Sequence, residues 1–583
     1  MCGILVSFGP ATRESKSGFL KLLRLLEPRG PDGLWHSNLA NVTAGFTRLS
    51  IFATGVSLGD VNPENEPVQV LLNGEIWNHA ELKRELDAEV RSEFELVRAG
   101  YIEHGIDFVR RLDGMFFLTI LDRRKEKYYF ARDPIGIKPA FYYVDDSKRS
   151  LLLASDIKPL AAHPMVDARI NENYLINQSV FSYSDYEDCL ISQLRQIPPG
   201  HYLQASLAES GDIEHRILKY KSSVAAQVDG FGDPVDAQLH LLEQAVRKRC
   251  DHKDSGEVGL LLSGGIDSSL IAFIARRLGL DGLLCFYMGE RDTLDYRWAA
   301  WVAEQTGYRL EHVQPRSADV LRNMPRHCYE LSGERGYVAT VLACEIRRMH
   351  PNLKIVLCGE GSDELYAGYS RYLNPQLTID GIRKRSRTHQ KDTALIRKFK
   401  NRTSSALDVI GETEWLIDFL LGPQLVNNHL LQLDHGFMAH ALELRVPFLD
   451  LANVAYARDL PIERKVFAGQ TKTILKDLAS TVFSVPDDFL ARRKTGLPAS
   501  LPSSIVDMES YAKAILPTNW RESHTFRDYF STSFEMFWFD LTCIVLLLHG
   551  RLSLDAISIN ELYSDDNIRK LREMLRSCCM ARF

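Results

Sequence analysis

Several things are missing from this chain of 583 residues, and each absence narrows what it can be. Its ten cysteines, at 2, 189, 250, 285, 328, 344, 358, 543, 578 and 579, never form a CxxC pair or the Cys/His spacing of a zinc module. That excludes a zinc ribbon or a dithiol redox motif and points to small buried thiols in a reducing compartment. Long hydrophobic runs are also absent. The longest near the C-terminus, Cys543–Gly550 after Asp540, falls far short of the roughly 20 apolar residues that span a bilayer. No basic region precedes the apolar start "MCGILVSFGP", and Arg13 and Glu14 follow too soon for a secretory signal. Neither sign of charge dominates: 70 Lys and Arg against 76 Asp and Glu leave a net charge of −6, no reason to expect nucleic acid or an anionic membrane as partner. A soluble, cytoplasmic protein of two or three domains is expected.

What is present changes character along the chain. Residues 1 to about 215 are rich in short β-type runs such as "GILVSF", "VQVLLNGEIW", "MFFLTILD" and "SLLLASD", with a few helical patterns between them, which predicts a layered α+β domain. From about 234 strand and helix alternate: "DPVDAQLHLLEQAVRKRC", "EVGLLLS", "SLIAFIARRLG", "GLLCFYMG", "YRWAAWVAEQTG", "LKIVLCG". Such alternation predicts a parallel sheet flanked by helices. Mainly helical patterns follow after about 365, and the small, polar stretch 220–233 is the expected boundary between domains 1–215 and 234–583.

Two constellations carry chemistry. Removal of Met1 would leave Cys2 with a thiol and a free α-amino group on one residue. That amine, with a pKa of about 7.7–8, is a usable base for its own side-chain nucleophile. "LLNGEIWNH" places Asn73, Gly74 and Glu75 at a strand end, where a neutral amide and a glycine N–H suit an oxyanion, although Asn-Gly is also a common hairpin turn. The second is "VGLLLSGGIDSSLIAFIARR", a strand, a small polar turn and a helix, without the lysine that a Walker loop needs to reach the outer phosphates. Gly264 and Gly265 permit close backbone approach, and Ser263, Ser268 and Ser269 stand at a helix N-terminus that favours an anion. Asp267 would repel phosphate unless a cation intervened, so it is a candidate magnesium ligand, with helix capping as its bland alternative.

M-C-G-I, R-G-P-D-G, R-L-S-I and N-G-E-I-W-N, in this order, resemble the glutaminase domain of the N-terminal-nucleophile (class II) glutamine amidotransferases, an αββα fold. The resemblance implies Cys2 as nucleophile, Asn73 and Gly74 as oxyanion hole, and Arg48 and Glu75 as glutamine contacts. Glu93, in "RSEFELV", stands where the family has an aspartate for the glutamine amino group, one methylene further out. "SGGIDSS" is similar to the pyrophosphate loop of N-type ATP pyrophosphatases, and the two modules in this order resemble glutamine-dependent asparagine synthetases. "LCGEGSDELYAGY", "LELRVPFLD" and "GQTKTILK" extend that resemblance to about residue 500.

It implies ATP and Mg²⁺, with Asp363 joining Asp267 on the metal, Glu360 as base or orienter at the acyl centre, and Lys472 on the adenylate charge. Cys358 and Gly359 are implied beside the nucleotide, where Cys358 replaces the family's serine, and Asp295 is a further candidate near it. The implied reaction joins ammonia from glutamine to an acyl-adenylate of a carboxylic acid, aspartate by default. Family members often form dimers, so a homodimer is a possible state. Residues 331–349 depart from the family's acid-binding stretch, which leaves a sugar acid or natural-product intermediate open as acceptor. A tRNA-modifying adenylating enzyme is the rival reading, favoured only by the run 381–402 with nine Lys or Arg. A regulator that has lost catalysis is a further alternative, against which every residue needed by the two reactions is present.

Overall fold

A computed structural model describes residues 2–492 apart from 10–15, 40, 52–57, 64–65, 146, 168, 221–230, 251–256, 316–332, 390 and 403–408, together with Ser510 and Lys513. The C-terminal apolar run and the terminal stretch "RKLREMLRSCCMARF" lie outside the described residues, as does most of the stretch 220–233.

The first eleven strands form two antiparallel sheets. One contains β1 (Cys2–Phe8), β2 (Gly33–Leu39), β3 (Val42–Arg48), β7 (Phe141–Val144), β8 (Leu151–Ala154) and β9 (Arg195–Gln196), ordered β2-β3-β1-β8-β7-β9. The other contains β4 (Val68–Ile76), β5 (Gly114–Asp122), β6 (Lys127–Arg132), β10 (His201–Leu207) and β11 (Ile213–Lys219), ordered β11-β10-β6-β5-β4. Because side chains alternate across a strand, each sheet has two apolar faces to cover. Ile4, Val6 and Phe8 of β1 meet Leu71, Phe117 and Leu121 between the sheets. Leu5 turns the other way, onto Phe19 and Leu23 of the helix Lys16–Arg24. Val70 and Leu72 likewise pack outward on Val97 and Tyr101 of helix α1 (Glu93–His104). The result is the helix–sheet–sheet–helix stack expected of the N-terminal half.

The second half holds a five-stranded sheet in the order β14-β13-β12-β15-β16, with every neighbouring pair parallel. Its strands are β12 (Val258–Leu261), β13 (Leu284–Met288), β14 (Arg309–Val313), β15 (Ile355–Leu357) and β16 (Glu443–Arg445). Helices α2 (Pro234–Cys250), α3 (Ile266–Arg277), α4 (Leu294–Thr306) and α5 (Gly333–Met349) cover it, and α6 (Leu431–Met438) precedes β16. The chain runs outward from β12 to β14 and then returns to place β15 on the other side of β12. The loops after β12 and β15 therefore flank the crevice where ligands bind in open parallel sheets. β16 lies in "LELRV", a run of only three residues inside a stretch read as helical, too short to show a period. The basic run 381–402 falls on two helices, Pro375–Ser386 and Ala394–Arg402, whose Ile379, Ile382, Leu395 and Phe399 pack on Phe181 and Phe419. Among the described residues no helix is long and apolar enough to cross a membrane.

Candidate functional site

Cys2 begins β1 directly opposite Arg48 of β3, and it is buried. Its backbone nitrogen donates to Asn73 Oδ1 at 3.1 Å. Asn73 is itself fully buried; its amide oxygen takes the Cys2 N–H, and its Nδ2 has no partner among the described residues. Asn73 and Gly74 are not in a hairpin turn: β4 continues to Ile76, pairing Asn73 with Phe117 and Gly74 with Phe116. Gly74 has φ +143°, and a Cβ there would come within 1.8 Å of Met115 O. Any side chain is excluded, which is why glycine alone can follow the asparagine here.

Glu75 and Glu93 lie on the same side of this site. Glu93 is the first residue of α1, whose Ser92 cap accepts from Glu95 N. Its Oε1 accepts from Ile76 N at 2.6 Å. Burial pushes the Glu93 carboxyl up to about 7, against the Ile76 hydrogen bond that favours its charge, with nearby Glu443 adding to the rise. Burial raises Glu75 as well, reinforced by Glu443 and Glu93 and opposed by Arg445, whose guanidinium stands 3.6 Å away. Burial also pushes the Cys2 thiol up, while the chain's N-terminal charge and Arg48 pull it down. A thiol kept protonated by burial becomes a nucleophile only with a base close by.

The second group gathers at the crevice. Gly264, with φ +72°, lies so close to the Asp295 carbonyl that a Cβ would meet it at 2.1 Å. Ser268 Oγ accepts from Ser263 N (3.2 Å), and Ser269 Oγ donates to Gly265 O (2.7 Å). Gly265 is the N-cap of α3 without a side-chain cap, so Asp267 does not cap the helix. Its carboxylate instead receives Lys472 Nζ at 2.5 and 2.6 Å and Ser362 Oγ at 2.7 Å. The same Lys472 Nζ is 2.7 Å from Asp363 Oδ1. Lys472 is buried and adopts a left-handed backbone (φ +56°) just ahead of a helix, a conformation that costs a side-chain-bearing residue energy and is found where structure over-determines it. Cys358 is buried after β15, and Gly359 packs against Asp267 Cβ and Ser268 N. Glu360 Oε1 is 2.9 Å from His429 Nδ1. Asp295 pairs with Arg492, while Thr293 supplies the cap of its helix.

The sequence-predicted residues thus form two groups, one around Cys2 and one around Lys472, in different halves of the chain. A set of buried charges that the sequence reading missed joins the two halves of the chain. Arg29 donates from Nε to Cys2 O (3.4 Å) and from its guanidinium to Asp434 Oδ2 (2.7 Å), and Lys138 Nζ lies 3.4 Å from Asp434 Oδ1. Arg445 pairs with Glu443 beside Glu75. Its guanidinium and that of Arg249 each face the Trp77 ring, at 5.0 and 5.1 Å. The available signal was a charge set inside an apolar run, as in "LQLDHGF" and "LELRV".

Comparison with known proteins agrees with this division. The asparagine synthase family model matches residues 238–535, and that of the glutamine amidotransferase domain matches residues 1–216. The chain belongs to the asparagine synthase family. Among curated relatives, asparagine synthetase [glutamine-hydrolyzing] 1 of Bacillus subtilis (strain 168) is 25% identical, over 91% of this chain and 92% of its own length. A putative asparagine synthetase [glutamine-hydrolyzing] of Mycobacterium bovis is 28% identical, over 86% and 88%. Asparagine synthetase [glutamine-hydrolyzing] 2 of B. subtilis is 29% identical over 64% of this chain, which spans about half of that relative, 53% of its length.

Proposed function

We propose that this family member is a glutamine-dependent amide ligase that makes an acyl-adenylate from ATP and a carboxylic acid, aspartate by default, and releases AMP and pyrophosphate. The observation that supports it most is the convergence of Asp267, Asp363 and Lys472 beside a phosphate loop without its own lysine.

On this reading the Cys2 thiol attacks the glutamine carboxamide, its proton passing to the α-amino group exposed when Met1 is removed. Asn73 Nδ2 and the Gly74 N–H receive the oxyanion, the role for which a buried donor without a partner is suited. Arg48 meets the glutamine carboxylate, and Glu75 and Glu93 meet its ammonium. In the second half, the amides and hydroxyls of residues 263–269 hold the departing pyrophosphate, Gly359 and Cys358 border the nucleotide, and Lys472 offsets charge on the adenylate. The two carboxylates of Asp267 and Asp363 already converge on one cationic atom, so the donor set fits Mg²⁺, which prefers carboxylate oxygens together with phosphates. Bound there, the ion would neutralise phosphate charge. Glu360 stands by the acyl carbon, where ammonia attacks.

The reaction type is tested by incubating the chain with ATP, Mg²⁺, glutamine and a panel of acids headed by aspartate. AMP and pyrophosphate are expected. ADP and inorganic phosphate would refute adenylation, and the acid that yields an amide identifies the acceptor. A tRNA substrate is not favoured by the basic run 381–402, where Arg383 and Lys400 are paired with Asp380 and Asp392.

A further inference from the structure

His429 belongs to a stretch, Leu420–Leu430, wound as a π-helix and broken at Gly422, whose backbone leaves helical geometry just before Pro423. Such local widening costs hydrogen-bond quality and is concentrated at functional sites. Here it delivers one imidazole to two carboxylates of the "GEGSDE" segment: Nδ1 lies 2.9 Å from Glu360 Oε1, and Nε2 lies 4.0 Å from Glu364 Oε1. The two carboxylates differ in surroundings. Glu364 is fully buried, and its Oε1 already accepts from Tyr369 OH at 2.6 Å. Glu360 and His429 keep side-chain exposures of 23% and 20%, so both remain within reach of an entering reactant.

We propose that His429 is a positioning residue for amide formation, holding Glu360 so that its other oxygen takes the proton from the attacking ammonia. The inference rests on the adenylation reading above. In this step the ammonia nitrogen bonds to the acyl carbon, the bond from that carbon to the AMP oxygen breaks, and one N–H proton passes to Glu360 Oε2. The products are the amide, AMP and a protonated Glu360 that later gives its proton to water. With its proton on Nδ1, His429 donates to Glu360 Oε1, which fixes the carboxylate plane and favours its anionic form until the attack occurs. The activation step, in which pyrophosphate leaves, does not use this pair.

The test compares the wild-type full chain with H429A and H429N, using ammonium chloride as nitrogen source and the acid that supports AMP formation. Asparagine can place its amide nitrogen near the position of Nδ1, whereas alanine cannot. We expect H429A to lower kcat for amide formation by roughly 10²-fold. The KM for the acid and acid-dependent ATP–pyrophosphate exchange should stay within a factor of about two, the signature of a loss confined to one transition state. H429N should recover most of the rate, and both variants should keep Cys2-dependent glutamine hydrolysis, which confirms an intact fold. Equal losses in H429A and H429N, or exchange falling in step with amide formation, would overturn the proposal. So would a stoichiometric divalent metal ion in the purified wild type that H429A lacks, because the three side chains would then be ligands. A wild-type chain that forms no AMP with any acid fails at the earlier reading, an outcome separate from these.

Discussion

The two halves of this chain solve opposite electrostatic problems with opposite architectures. Around Cys2 the site is embedded in antiparallel strands, with Asn73 and Gly74 fixed by strand pairing, and its acids are pushed toward neutrality by burial. Around Lys472 the site is assembled from loops at the ends of parallel strands, and its acids are held by an ammonium group. On the proposed reading the first binds glutamine, whose reacting amide is neutral, and stabilises one transient oxyanion. On the same reading the second holds a triphosphate, whose charge demands cations. Strand pairing offers precise neutral donors, while the switch point of a parallel sheet offers converging loops that can carry charge.

Separating the halves chemically has the largest expected effect. C2A should abolish glutamine-dependent amide formation and leave the ammonium-dependent reaction intact, measured as product from either nitrogen source. D267N should do the reverse, cutting AMP formation by about 10²-fold or more while glutamine hydrolysis persists. If either variant lost both activities, the halves could not be treated as two sites. Next comes the neutral donor: N73A should reduce glutaminase kcat by roughly 10²–10³-fold with a small change in KM, and a negligible effect would take Asn73 out of the oxyanion role.

The smallest effect concerns the half-buried Glu93. Because the Glu93 carboxyl is raised to about 7, its neutral form dominates below that pH, and the glutamine ammonium then loses a charged partner. Glutamine KM should therefore rise as pH falls through about 7. E93Q should raise KM roughly tenfold at high pH, the worth of one charge-assisted hydrogen bond, and flatten the pH dependence. A wild-type KM that stays level between pH 6 and 8 on the same assay would contradict the burial argument.

Each candidate site was legible in the sequence only where several of its groups stand together. "NGE" and "SGGIDSS" each place several functional groups within a few residues, and strand and helix periods announced the scaffold around them. What was hidden is pairwise and distant. Arg29 and Asp434 are 405 positions apart, and Glu360 meets His429 from a different element altogether. Neither pairing leaves a local pattern, since a buried ion pair looks, one residue at a time, like a stray charge in an apolar run. Lys472 was expected beside the adenylate, but its grip on both aspartates depends on a left-handed backbone that no spacing rule announces.

The Arg29–Asp434–Lys138 bridge also bears on how this enzyme could be taken apart. If the polypeptide were cut between the halves and the fragments drew apart, Lys138 and Asp434 would pass into water, while Arg29 would keep Asp156, 3.8 Å away, within its own half. Water would solvate the separated charges, and the desolvation needed to bury them again offsets much of their attraction, so the bridge aligns the halves more than it holds them together.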